Sequence, residues 1–192
     1  MSEQVLPLSV FSSPDSRISP QMNIAGNKVT PSTPINSTTF PWPNGAQWFV
    51  VFDNKSLKVL ANVVSADNTT VPSEIAAFDN NVDAVLVLSS FAPNLNHTPQ
   101  GALYTALRKY GAGTALTEIE QSVAAFSSGF SGSYSYCFVG TMDNDAGTPG
   151  FDIRSIVIDN NTELLLSLVP LDLPDGTVYR VNPLVNPAVA VS

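Results

Sequence analysis

Apolar and polar positions change over short distances through the middle of the chain, and most apolar runs are of strand length. Residues 47–53 and 57–64 form two β-branched and aromatic runs separated by Asp53-Asn54-Lys55-Ser56, a spacing and chemistry that predict an antiparallel hairpin. Residues 72–80 begin at a proline and place Ile75, Ala76 and Phe78 for a short helix. Residues 82–89 are almost continuously apolar, as expected of a central strand covered on both faces. A helix is predicted over 98–110, with Thr98 as N-cap, Pro99 at the first position, Leu103, Ala106, Leu107 and Tyr110 as its stripe, and Gly111 as its stop. Thr117 and Glu120 make a capping box for a second helix, with Ile119, Val123 and Phe126 on one side and an end before Gly129. Residues 134–140 read as a strand. Residues 153–159 and 162–169 flank Asn160-Asn161 as a second hairpin, and 177–181 read as a further strand.

The ends of the chain have a different pattern. Pro7, Pro14, Pro20, Pro31, Pro34, Pro41 and Pro43 punctuate residues 1–45, and each removes a donor and pushes its predecessor to extended geometry. Neither helix nor central strand is expected there. Apolar residues such as Leu8, Val10, Met22, Ile24 and Trp42 recur between the prolines, so this arm should lie on a surface of its own domain or of a neighbour. Residues 182–192 repeat the theme with Pro183 and Pro187 among Leu184, Val185 and Val189. The expected organisation is therefore an extended arm (1–45), one α/β (α+β) domain (46–181) and an extended C-terminal segment (182–192). The fold class is a sandwich-like mixed or antiparallel sheet with two to three helices. On this reading, deletion of residues 1–44 leaves a folded monomer that no longer assembles.

Charge narrows the partners. Eight basic residues against 16 acidic ones give a net charge of −8, and Arg17, Lys28, Lys55, Lys58, Arg108, Lys109, Arg154 and Arg180 are scattered, so nucleic acid is not an expected partner. Charged residues are only 12% of the chain, which leaves a surface rich in hydroxyls and amides, as in virion and assembly proteins. No run reaches the ~18 apolar residues of a membrane span, and the start shows no basic then apolar signal. Membrane insertion is not expected. The expected localisation is a virion or extracellular assembly, reached after cytoplasmic synthesis. Five N-x-Ser/Thr sequons, at Asn36, Asn54, Asn68, Asn96 and Asn160, are about what this composition yields by chance.

The residues 45–53 (Gly-Ala-Gln-Trp-Phe-Val-Val-Phe-Asp), 83–90 (Asp-Ala-Val-Leu-Val-Leu-Ser-Ser), 98–111 and 134–140 come in the order hairpin, short helix, buried strand, two helices and a strand ending in glycine. Over about residues 46–150 this resembles the domain of the interleukin-like epithelial-mesenchymal transition inducers and pancreatic-derived factor (ILEI/PANDER-like). The resemblance implies a sandwich-like α/β fold without an enzymatic site, used for binding, with sugar recognition in some relatives. The paired cysteines and signal peptide of animal members are missing, and Tyr134-Ser135-Tyr136 stands where their tryptophan strand is expected.

Candidate chemistry is sparse. His97 is the only imidazole and Cys137 the only thiol, in separate segments, so neither a Ser or Cys nucleophile with its base nor a zinc site is indicated. Asp143 and Asp145 imitate the start of a calcium loop, but Arg154 stands where the bidentate glutamate is needed. Glu118 and Glu120 fall on different faces of a helix. No cofactor or metal is expected, and no catalytic residue is assigned. Trp42, Tyr104, Phe130, Tyr134 and Tyr136 are the candidate patch for a glycan or protein partner, although Trp42 and the strand tyrosines also suit a core. The expected function is a non-enzymatic structural or assembly protein of a virion (capsid, tail or decoration component) or extracellular filament, with other copies of itself or other assembly subunits as partners. The alternative is a carbohydrate- or receptor-binding module.

Overall fold

A computed structural model describes residues 4–32, 42–125, 132–143, 150–156 and 160–183. Two five-stranded antiparallel sheets and three α-helices are stacked in layers among these residues. The first sheet has the order β10 (Gly176–Pro183), β9 (Thr162–Leu173), β1 (Leu6–Ser12), β2 (Gln21–Ile24), β3 (Asn27–Lys28). The second has the order β5 (Val59–Ser65), β4 (Gln47–Asp53), β6 (Ala84–Ser90), β7 (Ser135–Thr141), β8 (Phe151–Ser155). The helices α1 (Ser73–Ala76), α2 (Gly101–Lys109) and α3 (Thr114–Ala125) pack on the second sheet.

The second sheet is the middle layer, which explains its near-continuous apolar runs. Trp48, Val50 and Phe52 of β4, with Val85, Val87, Cys137 and Val139, face the first sheet's Leu8, Val10, Met22, Ile24, Leu166 and Leu168. The alternate residues Phe49, Val51, Leu86, Leu88, Tyr136 and Phe138 face Ile75, Leu103, Leu107, Leu116 and Ile119 on the helix side. Successive side chains of a strand point to opposite faces, so a strand covered on both must be apolar at both. The predicted β4–β5 hairpin is present, with Trp48 opposite Val64.

The N-terminal expectation is overturned. Residues 6–12 form the middle strand of the first sheet, paired with β2 on one side and β9 on the other. The prolines do not forbid this, because Pro7 lies ahead of the β1–β2 ladder, which begins at the pair Leu8 and Ile24, while Pro14, Pro20 and Pro31 fall outside the strands. Residues 1–45 are therefore no free arm over their described part: Leu8, Val10, Met22, Ile24, Val29 and Trp42 are core residues of the same fold as 46–181. Deleting 1–44 would remove them, so a folded truncated monomer is no longer the expectation. Of the segment 182–192, Asn182 and Pro183 complete β10, and the rest lies outside the described residues.

Further corrections concern pairings and caps. Over the described residues, 153–156 and 162–169 do not pair as a hairpin: β8 is bonded to β7 in one sheet and β9 to β1 and β10 in the other, and residues 157–159 of the predicted strand lie outside the described residues. The two Asn residues serve a crossing between layers, where the Ser135 hydroxyl donates to the Asn160 carbonyl. Helix α2 starts at Gly101, after Thr98, whose hydroxyl instead donates to the Leu95 carbonyl and closes a 3₁₀ turn over Leu95–His97. Helix α3 starts before the predicted capping box. Its cap comes from another element, since the Asp152 carboxylate of β8 accepts the N–H groups of Gly113 and Leu116, both at 3.0 Å.

Candidate functional site

Where β10 leaves the β4–β5 turn, the two sheets part and leave a cleft of about 460 Å³. Its apolar lining comes from Val85 and Val139, which belong to the core between the sheets, and from Phe151, Tyr179 and Val181, which pack against that core. Val82, Gly140, Thr141, Asp143, Arg180 and Asn182 complete it. One end is pinned, because the Tyr179 N–H donates to the Asn54 carbonyl (2.8 Å) and the turn itself is held by the Lys55–Asp83 ion pair (2.7 Å).

The backbone of β10 in this cleft has a definite orientation. Tyr179 stands opposite Pro170, which has no N–H, in a pair that needs none. Tyr179 turns its own N–H away from β9, toward Asn54. Alternation then turns the N–H and C=O of Val181 away from β9 as well. The Thr141 hydroxyl is buried here and has no hydrogen-bond partner among the described residues.

The predicted aromatic patch is not assembled. Trp42 (3% exposed) lies in the core between the sheets, edge-on to Trp48 and Phe91, whereas Tyr134 and Tyr136 (each 1%) lie in the core under the helices. Tyr104 sits on α2, partly exposed, with its hydroxyl donating to Glu120 (2.8 Å). Phe130 lies outside the described residues. Sequence reasoning missed Tyr179, Phe151 and Arg180 as neighbours, because that grouping depends on β8 and β10 belonging to different sheets.

Neither His97 nor Cys137 lines the cleft. The Nδ1 of His97 accepts the Asn94 N–H (3.1 Å), which fixes the neutral ring with its proton on Nε2, and burial lowers its pKa from the ordinary value. The Cys137 thiol donates to the Val10 carbonyl (3.3 Å) between the sheets, and burial pushes its pKa far up, away from a nucleophilic thiolate. Among the described residues no group of three or more His, Cys, Asp or Glu side chains is arranged to hold a metal. Asp143 lines the cleft, and Asp145 lies outside the described residues. No helix among the described residues is long and apolar enough to cross a membrane. No protein-family model matches this chain, and neither does any curated protein.

Proposed function

We propose that the chain is a non-enzymatic assembly subunit of a virion or extracellular filament that binds other copies of itself or other subunits of the same structure. The observation that carries this reading is the outer face of the first sheet. All three helices of the described residues cover the second sheet, so among the described residues no helix lies over that face. On it, Leu165 (50% exposed), Leu171 (36%) and Leu173 (46%) project from the same side of β9. Pairing with β1 ends at Leu168, so β9 and β10 run on as a two-stranded ribbon that carries Leu171 and Leu173 outward. Exposed leucines grouped on one strand mark a surface that another protein covers.

Electrostatics point the same way. Arg17, Lys55, Lys109 and Arg154 are each engaged with a carboxylate, which leaves little basic surface for a polyanion. A covered sheet face needs a partner surface with few charged groups, and another copy of this chain, only 12% of whose residues are charged, supplies one.

Sedimentation over a wide concentration range tests the reading. Association of the wild-type chain is expected, and the Leu171→Glu, Leu173→Glu double variant should lose it while keeping its circular dichroism and melting temperature. A wild-type chain that remains a strict monomer at high concentration would overturn the assembly function.

A further inference from the structure

We propose that the outer edge of β5 pairs antiparallel with β5 of a second copy, continuing the middle sheet across a two-fold axis at Val63. The inference rests on the assembly reading and adds a second contact to the leucine face.

The outer strands of the two sheets differ in how they are protected. A free edge offers unpaired N–H and C=O groups to another chain, and short length, charged residues or prolines normally blunt it. Strand β3 has two residues, β8 carries Asp152 and Arg154, and β10 is tied to Asn54 at Tyr179 and reaches Pro183. Strand β5 has none of these: its seven residues, Val-Leu-Ala-Asn-Val-Val-Ser, include neither charge nor proline, and Val59 and Leu60 are 44% and 42% exposed. Among the described residues it is bonded to β4 alone.

The neighbouring strands fix which backbone groups of β5 face outward. The Phe91 N–H donates to the Ala46 carbonyl (2.8 Å), so alternation turns Trp48 and Val50 toward β6, and Gln47 and Phe49 toward β5. Val63 and Ser65, opposite Phe49 and Gln47, therefore bond to β4. Asn62 and Val64, opposite Val50 and Trp48, turn their N–H and C=O to the outer edge. Among the described residues no other backbone takes these groups, since Thr30 and Ser32 meet Asn62 through its side-chain amide.

A second copy matches this edge. With Val63 opposite Val63 of the second copy, Asn62 stands opposite Val64 on both sides of the axis, and the two strands exchange four backbone hydrogen bonds. The irregularity of the β4–β5 ladder falls at Leu60, outside the paired residues 61–65. The same register brings Lys58 of one strand to Asp67 of the other. Both are exposed, Lys58 belongs to none of the ion pairs of the described residues, and Thr69 and Thr70 hold the Asp67 carboxylate in place. An uncharged strand with opposite charges at its two ends complements itself when it is antiparallel to its copy. Four backbone bonds are too few to hold two free copies together against the cost of association. The edges therefore pair between copies that the leucines of β9 already hold in one assembly, where the contact is intramolecular.

Oxidative trapping in the full-length chain tests this. Opposed residues of a non-hydrogen-bonded antiparallel pair lie about 4.5 Å apart at Cα, within reach of a disulfide, so Val63→Cys should cross-link to its own copy under mild oxidation. Val59→Cys, which the register places far from its counterpart, should not, and neither should the wild type, whose Cys137 is buried. Adding Leu171→Glu and Leu173→Glu to Val63→Cys should abolish the link. Val64→Pro removes an N–H that its own fold leaves unused, and it should associate at least ~10-fold more weakly, about 1.4 kcal/mol, with unchanged circular dichroism. If Val63→Cys gives no link, or links no faster than Val59→Cys, while the wild type sediments as an oligomer, the edge pairing is overturned and the assembly reading stands. A folded Val64→Pro variant that associates normally overturns it as well, and a monomeric wild type removes both.

Discussion

Asn62 on β5 connects the N-terminal segment to the middle sheet, and its replacement by alanine should be among the most costly changes at a partly exposed position. Its side-chain oxygen accepts the Trp48 Nε1–H (2.8 Å) and the Ser32 N–H (3.3 Å), while its amide donates to the Thr30 carbonyl (2.7 Å). Trp48 is 1% exposed, so removing the amide leaves an indole donor buried without a partner, at about 1–3 kcal/mol. The two backbone contacts near Ser32 can be taken over by water and add about 0.5–1 kcal/mol together. The sum is about 1.5–4 kcal/mol, or a melting temperature lower by about 3–16 °C for a chain of this size. Urea unfolding followed by tryptophan fluorescence is the assay, since both tryptophans, Trp42 and Trp48, are buried. Asn62→Asp keeps an acceptor for Trp48 and loses only the donor to Thr30, so it should be destabilised by less than half as much as the alanine variant. If Asn62→Ala unfolds within about 0.5 kcal/mol of the wild type, the bridge contributes nothing and the reasoning fails.

Asp152→Ala should cost about 1–2 kcal/mol by uncapping α3 from a distant strand, and hydrogen exchange at Leu116 should accelerate more than at Leu103. Gly45→Ala should destabilise by more than about 3 kcal/mol, because the backbone there has φ +89° and a Cβ would overlap the His97 ring; a variant that melts with the wild type would contradict this. The Cys137 thiol should resist a thiol reagent in the native protein and react fully in denaturant, and fast native labelling would place it outside the core. His97 should titrate below 6.5 in a proton NMR experiment that has a single imidazole to follow. Its folded pKa lies under the unfolded one, so the unfolded chain binds the extra proton first, and its contribution to stability is complete above pH 6.5 and is lost as pH falls below it. A titration above 6.5 would mean that the ring is not desolvated as the fold places it.

Local chemistry made much of the middle layer readable. The β4–β5 hairpin follows from its runs and turn, the buried strand β6 from its unbroken apolarity, and the inward stripe of α2 from Leu103, Leu107 and Tyr110. The N-terminal strands were obscured because a count of prolines over residues 1–45 averages away the spacing that matters: Leu8 and Val10, like Met22 and Ile24, alternate with period two between the prolines. The false hairpin across Asn160-Asn161 has a related cause. Turn residues show that the chain changes direction and cannot show whether it returns to the same sheet or crosses to another. The cap of α3 was hidden for the same reason, since Asp152 is remote in sequence and only the β7–β8 pairing carries it to the helix start. The candidate patch failed at that level too: by sequence Tyr136 of β7 and Tyr134 just before it suit either a binding patch or a core, and a layer of helices covers them.

The position of β1 also governs the order in which the molecule can be finished. Its flank toward β2 can form early in synthesis, but its other flank waits for β9, the second-last strand among those described. Until the ribosome has passed residue 168, Leu8, Val10, Met22 and Ile24 belong to a small meander that lacks its other half, while the middle sheet and its helices have all their residues once residue 155 is made. Nascent chains should therefore expose an unfinished edge for most of translation, and a chaperone that shields unpaired strands would raise the yield more than one that acts after release.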